Sequence, residues 1–379
     1  MIWVFWLSAV ALIYSILGYG LLVVALARLR PRRAPVPPEM PMRFSFLIAA
    51  HNEAAHIEAK IRDTLAQDAG PHEVEVIVVS DGSADGTAGL ARGVADARVR
   101  VFELPGHQGK AAAINLGLEH CRGDVVVFSD ANSLLAPGSL LAIARHFGDP
   151  QTGGVCGRIT VQAKRAGPTG QAEGLYWRYD QAIKAAESRL GGTVSAQGSI
   201  YAIRRELTKP LIMGCADDFL MSVNAVAAGR RLVFEPEAET SEPVSERIGR
   251  EMGRRIRSTE RGWRALMVHR ALLNPLRTGW YGWQLFSHKL LRRLNPLFLI
   301  ALFFSNMALI GRGWFYDLTA LAQVAFYGLG LLAMAFPALR RVKPAGLAAF
   351  FIFTHLAMLR GILRYYRGHK SVTWRPVRD

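Results

Sequence analysis

The sequence predicts an α/β domain built on a parallel sheet with crossover helices, framed by apolar helices at both ends. Short apolar runs at 44–50, 75–80, 99–104 and 125–128 have strand length. Helix-length segments of roughly 15–20 residues separate the first of them, the pattern of a parallel sheet. Three of the runs end in polar residues that can do chemistry: His51-Asn52-Glu53, Asp81-Gly82-Ser83 and Asp130-Ala131-Asn132. In a parallel sheet these ends share the edge where ligands bind. Finally, the mean hydropathy is +0.16 with 51% apolar residues, and the apolar excess is concentrated at the termini.

Taken in order, residues 3–26 carry no charge, and a bilayer needs about 20 such residues. A signal peptide is the competing reading, because Ala25-Leu26-Ala27 resembles a cleavage site. No basic segment precedes the run, and it is too long for a signal core, so residues 1–30 are expected to be a retained anchor. Residues 31–43, with Pro31, Pro35, Pro37, Pro38 and Pro41, form a stiff linker. The α/β domain is expected over 44–245. Residues 246–290 are dense in Arg, with Trp263, Trp280, Tyr281 and Trp283. Basic faces mixed with indoles suit helices in the headgroup layer; a domain-closing helix pair is the plainer reading. Residues 291–379 hold apolar stretches at about 295–310, 315–337 and 344–363 and a basic tail.

The net charge of +16 raises nucleic acid as a partner. The basic residues, however, flank the apolar runs: Arg28-Leu29-Arg30-Pro31-Arg32-Arg33, Arg292-Arg293 and Arg340-Arg341-Val342-Lys343. Positive-inside bias and anionic lipid account for that placement. The membrane, not nucleic acid, is the expected partner, and the domain is expected in the cytoplasm of a multi-pass inner-membrane protein. Three full spans after the domain would put Arg364, Arg367, His369, Lys370 and Arg375 outside, against the same bias. Either one stretch is re-entrant or the tail breaks the rule. Cys121, Cys156 and Cys215 are odd in number and lack metal-ligand spacing, which reads as free thiols in a reducing cytosol.

The strand ends invite specific chemistry. Asp130 could hold a hard cation against phosphate. Lys110 follows Gly109 at a helix start, where dipole and ammonium both favour an anion. Asp217 and Asp218 are adjacent; mutual repulsion and burial would raise a carboxylate towards use as a base. Each feature has a plain structural reading as well: a turn, a surface lysine, a helix cap.

Together these stretches resemble a family 2 glycosyltransferase with a GT-A nucleotide-sugar domain, of the membrane-bound bacterial type that makes exopolysaccharide or glycolipid. The resemblance rests on Ala50-His51-Asn52-Glu53, Ser80-Asp81-Gly82-Ser83-Ala84-Asp85-Gly86-Thr87, Gly109-Lys110-Ala111-Ala112-Ala113-Ile114-Asn115-Leu116-Gly117, Ser129-Asp130-Ala131-Asn132 and Ala216-Asp217-Asp218. They occur in family order and spacing, and the resemblance covers about residues 43–265.

The resemblance implies an inverting enzyme that moves a sugar from a UDP-type donor to a lipid-linked or glycan acceptor, with Mg²⁺ or Mn²⁺. It implies that Ala50, Asn52, Glu53 and Asp81 line the donor pocket, that Lys110 and Asp130 meet the diphosphate, and that Asp218 is the general base. Asp130 and Asn132 occupy the Asp-x-Asp metal motif, with a neutral amide for the second carboxylate. Gln197, Gly198, Ser199 and Asp217 fall on the acceptor side. Arg254 and Arg257 fit the family's basic positions, but Ser258 replaces the tryptophan that helps polymerising relatives hold the acceptor, and Trp263 is offset by five residues. That departure favours limited transfer over polymerisation. A processive synthase and a non-catalytic subunit of an export complex are the rivals, and export-complex subunits are partners to consider. No Gly-x-Gly-x-x-Gly follows the first strand, which disfavours a nicotinamide enzyme.

Overall fold

Alternation along the first strand, β1 (Arg43–Ala50), divides the domain interior in two. Phe44, Phe46 and Ile48 pack with Ile57, Ile61, Leu140 and Ile143 on one face. Leu47 and Ala49 pack with Ala113, Ile114, Phe219 and Leu220 on the other. A strand with both faces buried reads as a continuous apolar run, as this one does. The computed structural model describes residues 1–31, 33–162, 168–243 and 248–373.

β2 (Glu73–Asp81), β3 (Val99–Leu104) and β4 (Val125–Ser129) join β1 in parallel, in the order β3-β2-β1-β4. These are the four strands expected from the apolar runs. Beyond β4 lie β5 (Leu134–Leu135), β6 (Thr152–Gln162), β7 (Ile200–Arg204) and β8 (Arg231–Pro243). The full order among the described residues is β3-β2-β1-β4-β7-β6-β8-β5, with β7 antiparallel to both β4 and β6. This reversal positions the site. Ser129 at the end of β4 pairs with Ile200 at the start of β7. The chain leaving β4 at Asp130 therefore lies beside the chain entering β7 through Gln197-Gly198-Ser199. Ser129 Oγ donates to the Ser199 carbonyl at 3.0 Å and fixes the two.

Among the described residues, three helices are long and apolar enough to cross a membrane: Ile2–Arg28, Trp314–Ala335 and Lys343–Tyr366. The first contains a π-helical turn at Tyr14–Gly18 and is tied to the domain by polar contacts. Tyr14 Oη and Ser287 Oγ lie 2.8 Å apart, Ser15 Oγ donates to Asn295 Oδ1 at 2.6 Å, and Tyr19 Oη donates to Glu187 at 2.6 Å. Gly20 lets the Tyr179 ring approach, since a Cβ there would lie 2.2 Å from its hydroxyl.

Of the three C-terminal apolar stretches, two reach spanning length among the described residues. Asn295–Met307 has 13 residues, short of the roughly 20 needed to cross. Moreover, the tail folds back on the domain. The Arg264 guanidinium donates to the His369 carbonyl, and Ser371 N donates to Glu260 Oε1 at 2.9 Å. A Cβ at Gly109 would meet the Val372 carbonyl oxygen at 2.5 Å. The tail after Lys343–Tyr366 thus lies against the α/β domain and the helix Ile248–Val268.

Candidate active site

The site is assembled from the ends of β1, β2 and β4, the start of helix Lys110–His120, and the start of helix Asp217–Ala227. At the end of β1, Asn52 takes a left-handed backbone conformation with φ 54°; it is the sole non-glycine with positive φ among the described residues. That turn lets its side chain accept from Ala84 N at 2.8 Å while its own N–H donates to Ser83 Oγ at 3.0 Å. Glu53 N donates to Thr87 Oγ1, and the Glu53 carboxylate meets His56 Nδ1 at 2.9 Å. Ala50 is buried in the strand. The β1 and β2 loops are thereby locked together.

Asp81 is fully buried at the end of β2. Its carboxylate accepts from Gln108 N at 2.7 Å, Gly109 N at 2.8 Å and His107 Nδ1 at 2.9 Å. Gly82, at φ 59°, is where 106–107 crosses close by: a Cβ there would lie 2.3 Å from the Gly106 carbonyl carbon. Asp81 therefore fixes the loop that delivers Lys110. His51 stacks on His107 at 3.6 Å between ring centroids, and His51, Asp81 and His107 lie close enough to ligate a metal ion. A cation there would displace hydrogen bonds, because the Asp81 carboxylate already holds the 107–109 loop and His51 Nδ1 lies 2.6 Å from the Asp81 carbonyl.

Lys110 is the junction of the site. Its ammonium lies 2.7 Å from Asp130 Oδ1 and 2.8 Å from Asp217 Oδ2. Arg261 Nη2 approaches Asp217 Oδ1 at 3.3 Å. Burial alone would lower the Lys110 pKa, but Asp130 and Asp217 outweigh it and hold the group above its usual range. Burial would likewise raise Asp217, but Lys110 and Arg261 pull it below the usual carboxylate range. Asp218 goes the other way: burial raises it, and the Asp217 charge adds to the rise. The neighbours thus differ in role. Asp217 is an ion-pair partner, and Asp218 is a carboxylate tuned towards proton uptake.

Gly198 forms the floor. A Cβ there would stand 3.7 Å from Asp130 Oδ2 and 3.9 Å from Asp218 Oδ2, so both carboxylates look over it. The Tyr201 hydroxyl, buried and without a hydrogen-bond partner, feels Asp217, Asp218 and Asp130. Gln197 Nε2 donates to Asp180 at 3.3 Å, and Asn132 lies in the turn after Asp130. A groove of about 710 Å³ elsewhere, between Pro37, Arg145 and Glu239, touches none of these carboxylates.

The two basic positions are placed differently from the residue that reaches the acids. Arg254 is exposed and Arg257 partly so, whereas Arg261, on the same helix Ile248–Val268, contacts Asp217. Its signal was helical phase, since 254, 257 and 261 share a face. Ser258 is exposed, and Trp263 is buried with its ring edge-on to Tyr366 at 6.5 Å. Sequence reasoning also missed Asp180, Lys184, His288 and Lys289, which come from distant stretches and no motif.

The model of the Glycosyl transferase family 2 domain matches residues 45–211. Poly-beta-1,6-N-acetyl-D-glucosamine synthase of Staphylococcus aureus is 26% identical over 232 residues, 59% of this chain and 55% of the relative. The chain thus spans about half the length of the curated relatives it matches. Succinoglycan biosynthesis protein ExoO of Rhizobium meliloti is 36% identical over 96 residues, 25% of this chain and 27% of that protein. Among solved structures, mannosyltransferase PcManGT from Pyrobaculum calidifontis, in complex with GDP-Man and Mn²⁺, superimposes with a TM-score of 0.70 at 22% identity, over 97% of this chain and 100% of that one. The parallel half-sheet, the acidic strand ends and these matches together show a GT-A fold, in which residues 45–211 match the family 2 glycosyltransferase domain.

Proposed function

We propose that this enzyme is a membrane-bound inverting transferase. It moves a sugar from a nucleotide-diphosphate donor, with UDP the first assignment, to a lipid-linked or glycan acceptor at the cytoplasmic membrane face, in polysaccharide or glycolipid synthesis. The observation that carries this reading is the split between Asp217, held ionised by Lys110 and Arg261, and Asp218, raised by burial. An acceptor hydroxyl over Gly198 would attack the anomeric carbon as its proton passes to Asp218. The bond from that carbon to the diphosphate oxygen breaks on the opposite side. Lys110, at its helix N-terminus, meets the charge that develops there.

Ala50, Asn52, Glu53 and Asp81 shape the donor side through the locked loops, and Gln197, Gly198 and Ser199 the acceptor side. Arg254 and Arg257 extend the basic face of the helix that brings Arg261 to Asp217. Three carboxylates against Lys110 and Arg261 leave the ionised cluster one negative charge in excess. Asp130 and Asn132, with the orphaned Tyr201 hydroxyl nearby, form an oxygen set suited to Mg²⁺ or Mn²⁺. Such a cation would neutralise the diphosphate. That PcManGT was solved with GDP-Man and Mn²⁺ supports the donor and metal classes, and the names of the two curated relatives support a glycan product. Exposed Ser258 and buried Trp263 support limited transfer. Arg28 and Arg30, at the domain end of the first helix, support the cytoplasmic face.

Three outcomes test this reading. Asp218→Asn keeps volume and removes proton acceptance, so turnover should fall on the order of 10²–10⁴-fold with donor binding retained; near-normal transfer by the folded variant would remove Asp218 from its role. Since Asp218 must be ionised to act, transfer should fail on the acid side, at a pH above the ordinary aspartate range near 4. Asp217→Asn removes a neighbouring negative charge, lowers the Asp218 pKa and should move that acid limb to lower pH; an unmoved limb contradicts the coupling. Finally, chelation should abolish transfer, and Asp130→Ala should abolish metal-dependent donor binding. Full activity in excess chelator would refute the cation at Asp130 and Asn132.

A further inference from the structure

Lys343–Tyr366 has the length and composition of a membrane span, but its neighbours change along its length. Its first half packs on Trp314–Ala335. Ala345 and Ala349 are buried with Ala333, and a Cβ at Gly330 would stand 3.0 Å from the Ala348 carbonyl carbon and 2.5 Å from Ile352 Cδ1. Its second half packs on the domain helix Ile248–Val268. A Cβ at Gly361 would stand 2.7 Å from Thr259 Cβ and 2.9 Å from the Ile256 carbonyl oxygen. Arg364 Nε donates to Glu260 Oε2 at 3.0 Å, the Arg264 guanidinium lies 4.9 Å from the centre of the Tyr365 ring, and Trp263 meets Tyr366.

At about 100° per residue, these two stripes fall on opposite sides of the helix. Ala345, Ala349 and Ile352 point one way, and buried Ala357 and Gly361 point the other. Leu356 and Leu363 return to the first side, about three turns on from Ala345 and Ile352, and both are exposed. Arg360 and Arg367, also exposed, flank them. The helix is thus a layer between a membrane helix and the domain. Where Trp314–Ala335 stops covering its outer side, that side continues as leucine and arginine, the composition of a face in the headgroup layer.

The ends of the helix agree. Tyr316 Oη, near the start of Trp314–Ala335, accepts from Trp6 Nε1 at 3.3 Å, and Phe315 stacks on the Trp6 ring. Trp6 stands at the end of the first apolar helix remote from the domain, because Tyr19, Val23 and Ala27 pack on Ile183 and Ala186 at the other end. A crossing by Trp314–Ala335 therefore returns the chain to the domain's side of the bilayer. There Arg340 donates to the Ala333 and Met334 carbonyls, each at 2.8 Å, just before Lys343. The far end of Lys343–Tyr366 is on that side too, since Ser371 N donates to Glu260. A helix with both ends on one side does not cross.

We propose that Lys343–Tyr366 lies along the membrane surface beneath the domain, with Leu356, Arg360, Leu363 and Arg367 in the lipid headgroup layer. This goes beyond the function proposed above and rests on its membrane-bound part alone. It also reaches the site: Glu260, held by Arg364 and Ser371, adjoins Arg261, which pairs with Asp217. The lipid surface and the acidic cluster are joined through one domain helix.

The test labels the full chain in sealed vesicles with a membrane-impermeant thiol reagent, against the parent chain, whose three cysteines are buried. Cysteines are introduced singly at exposed positions: Arg92→Cys to mark the domain, Arg312→Cys, Arg341→Cys and Arg367→Cys. Arg341→Cys and Arg367→Cys should label from the same face as Arg92→Cys, and Arg312→Cys from the opposite face. Arg367→Cys labelling from the face opposite Arg341→Cys overturns the proposal, as does Arg312→Cys labelling with Arg341→Cys. Nitroxides on Leu356→Cys and Leu363→Cys then read depth by collision with oxygen and a soluble nickel chelate. Both should sit at one shallow depth. A difference near 10 Å, the rise of seven helical residues, would mark a crossing helix, and nitroxides reached by nickel as freely as in water would remove the lipid contact. Both outcomes overturn the proposal while leaving the membrane-bound reading in place. Protein released by carbonate extraction strikes that reading, and this inference with it.

Discussion

The ammonium of Lys110, bonded at once to Asp130 and Asp217, is the contact on which the site depends. It joins three stretches of chain: the end of β4, the start of helix Lys110–His120 and the start of helix Asp217–Ala227. It also breaks the symmetry of two adjacent acids. By holding Asp217 charged, it leaves Asp218 facing both burial and a fixed negative neighbour. Lys110 is delivered in turn by Asp81, whose carboxylate takes the backbone N–H groups of Gln108 and Gly109. A buried carboxylate that accepts backbone donors is a strong constraint, and here it sets the loop that delivers Lys110.

The parallel half of the fold was legible because strands buried on both faces read as unbroken apolar runs, and because their polar ends fall on one edge. Asp130, Lys110 and Asp218 could be read for the same reason: each stands where a strand ends or a helix begins. The antiparallel half was not legible. β6 and β8 pair with register shifts near Thr152 and Cys156, and no local pattern announces that β7 returns beside β4. The packing of His288 against Asp180 and Glu187 is a product of tertiary packing alone. Arg261 was within reach of helical phase, but the motif drew attention to Arg254 and Arg257. The length of Asn295–Met307 was readable too, since Pro296 opens that helix and Gly311 and Gly313 follow it.

The membrane elements and the domain are one polar framework rather than an anchor and a cargo. Tyr14, Ser15 and Tyr19 of the first helix each bond to a residue of the domain or of the segment that follows it. The tail after Lys343–Tyr366 returns to Glu260, Arg264 and Gly109. Buried polar contacts at such a junction define one register, because an unmade hydrogen bond there costs more than a made one gains. Gln197, through Asp180, His288 and Glu187, is therefore held by the same contacts that hold the first helix.

In the proposed reaction, with Asp217 neutralised by Lys110 and Arg261 and Asp218 raised, one base serves a single direct displacement. The anomeric configuration of the transferred sugar, read by NMR on product made from a donor of known configuration, tests this most directly. The account predicts inversion, a β-linked product from an α-linked donor. Retention would contradict it, because it would require a second displacement or front-face attack that a lone raised Asp218 does not provide.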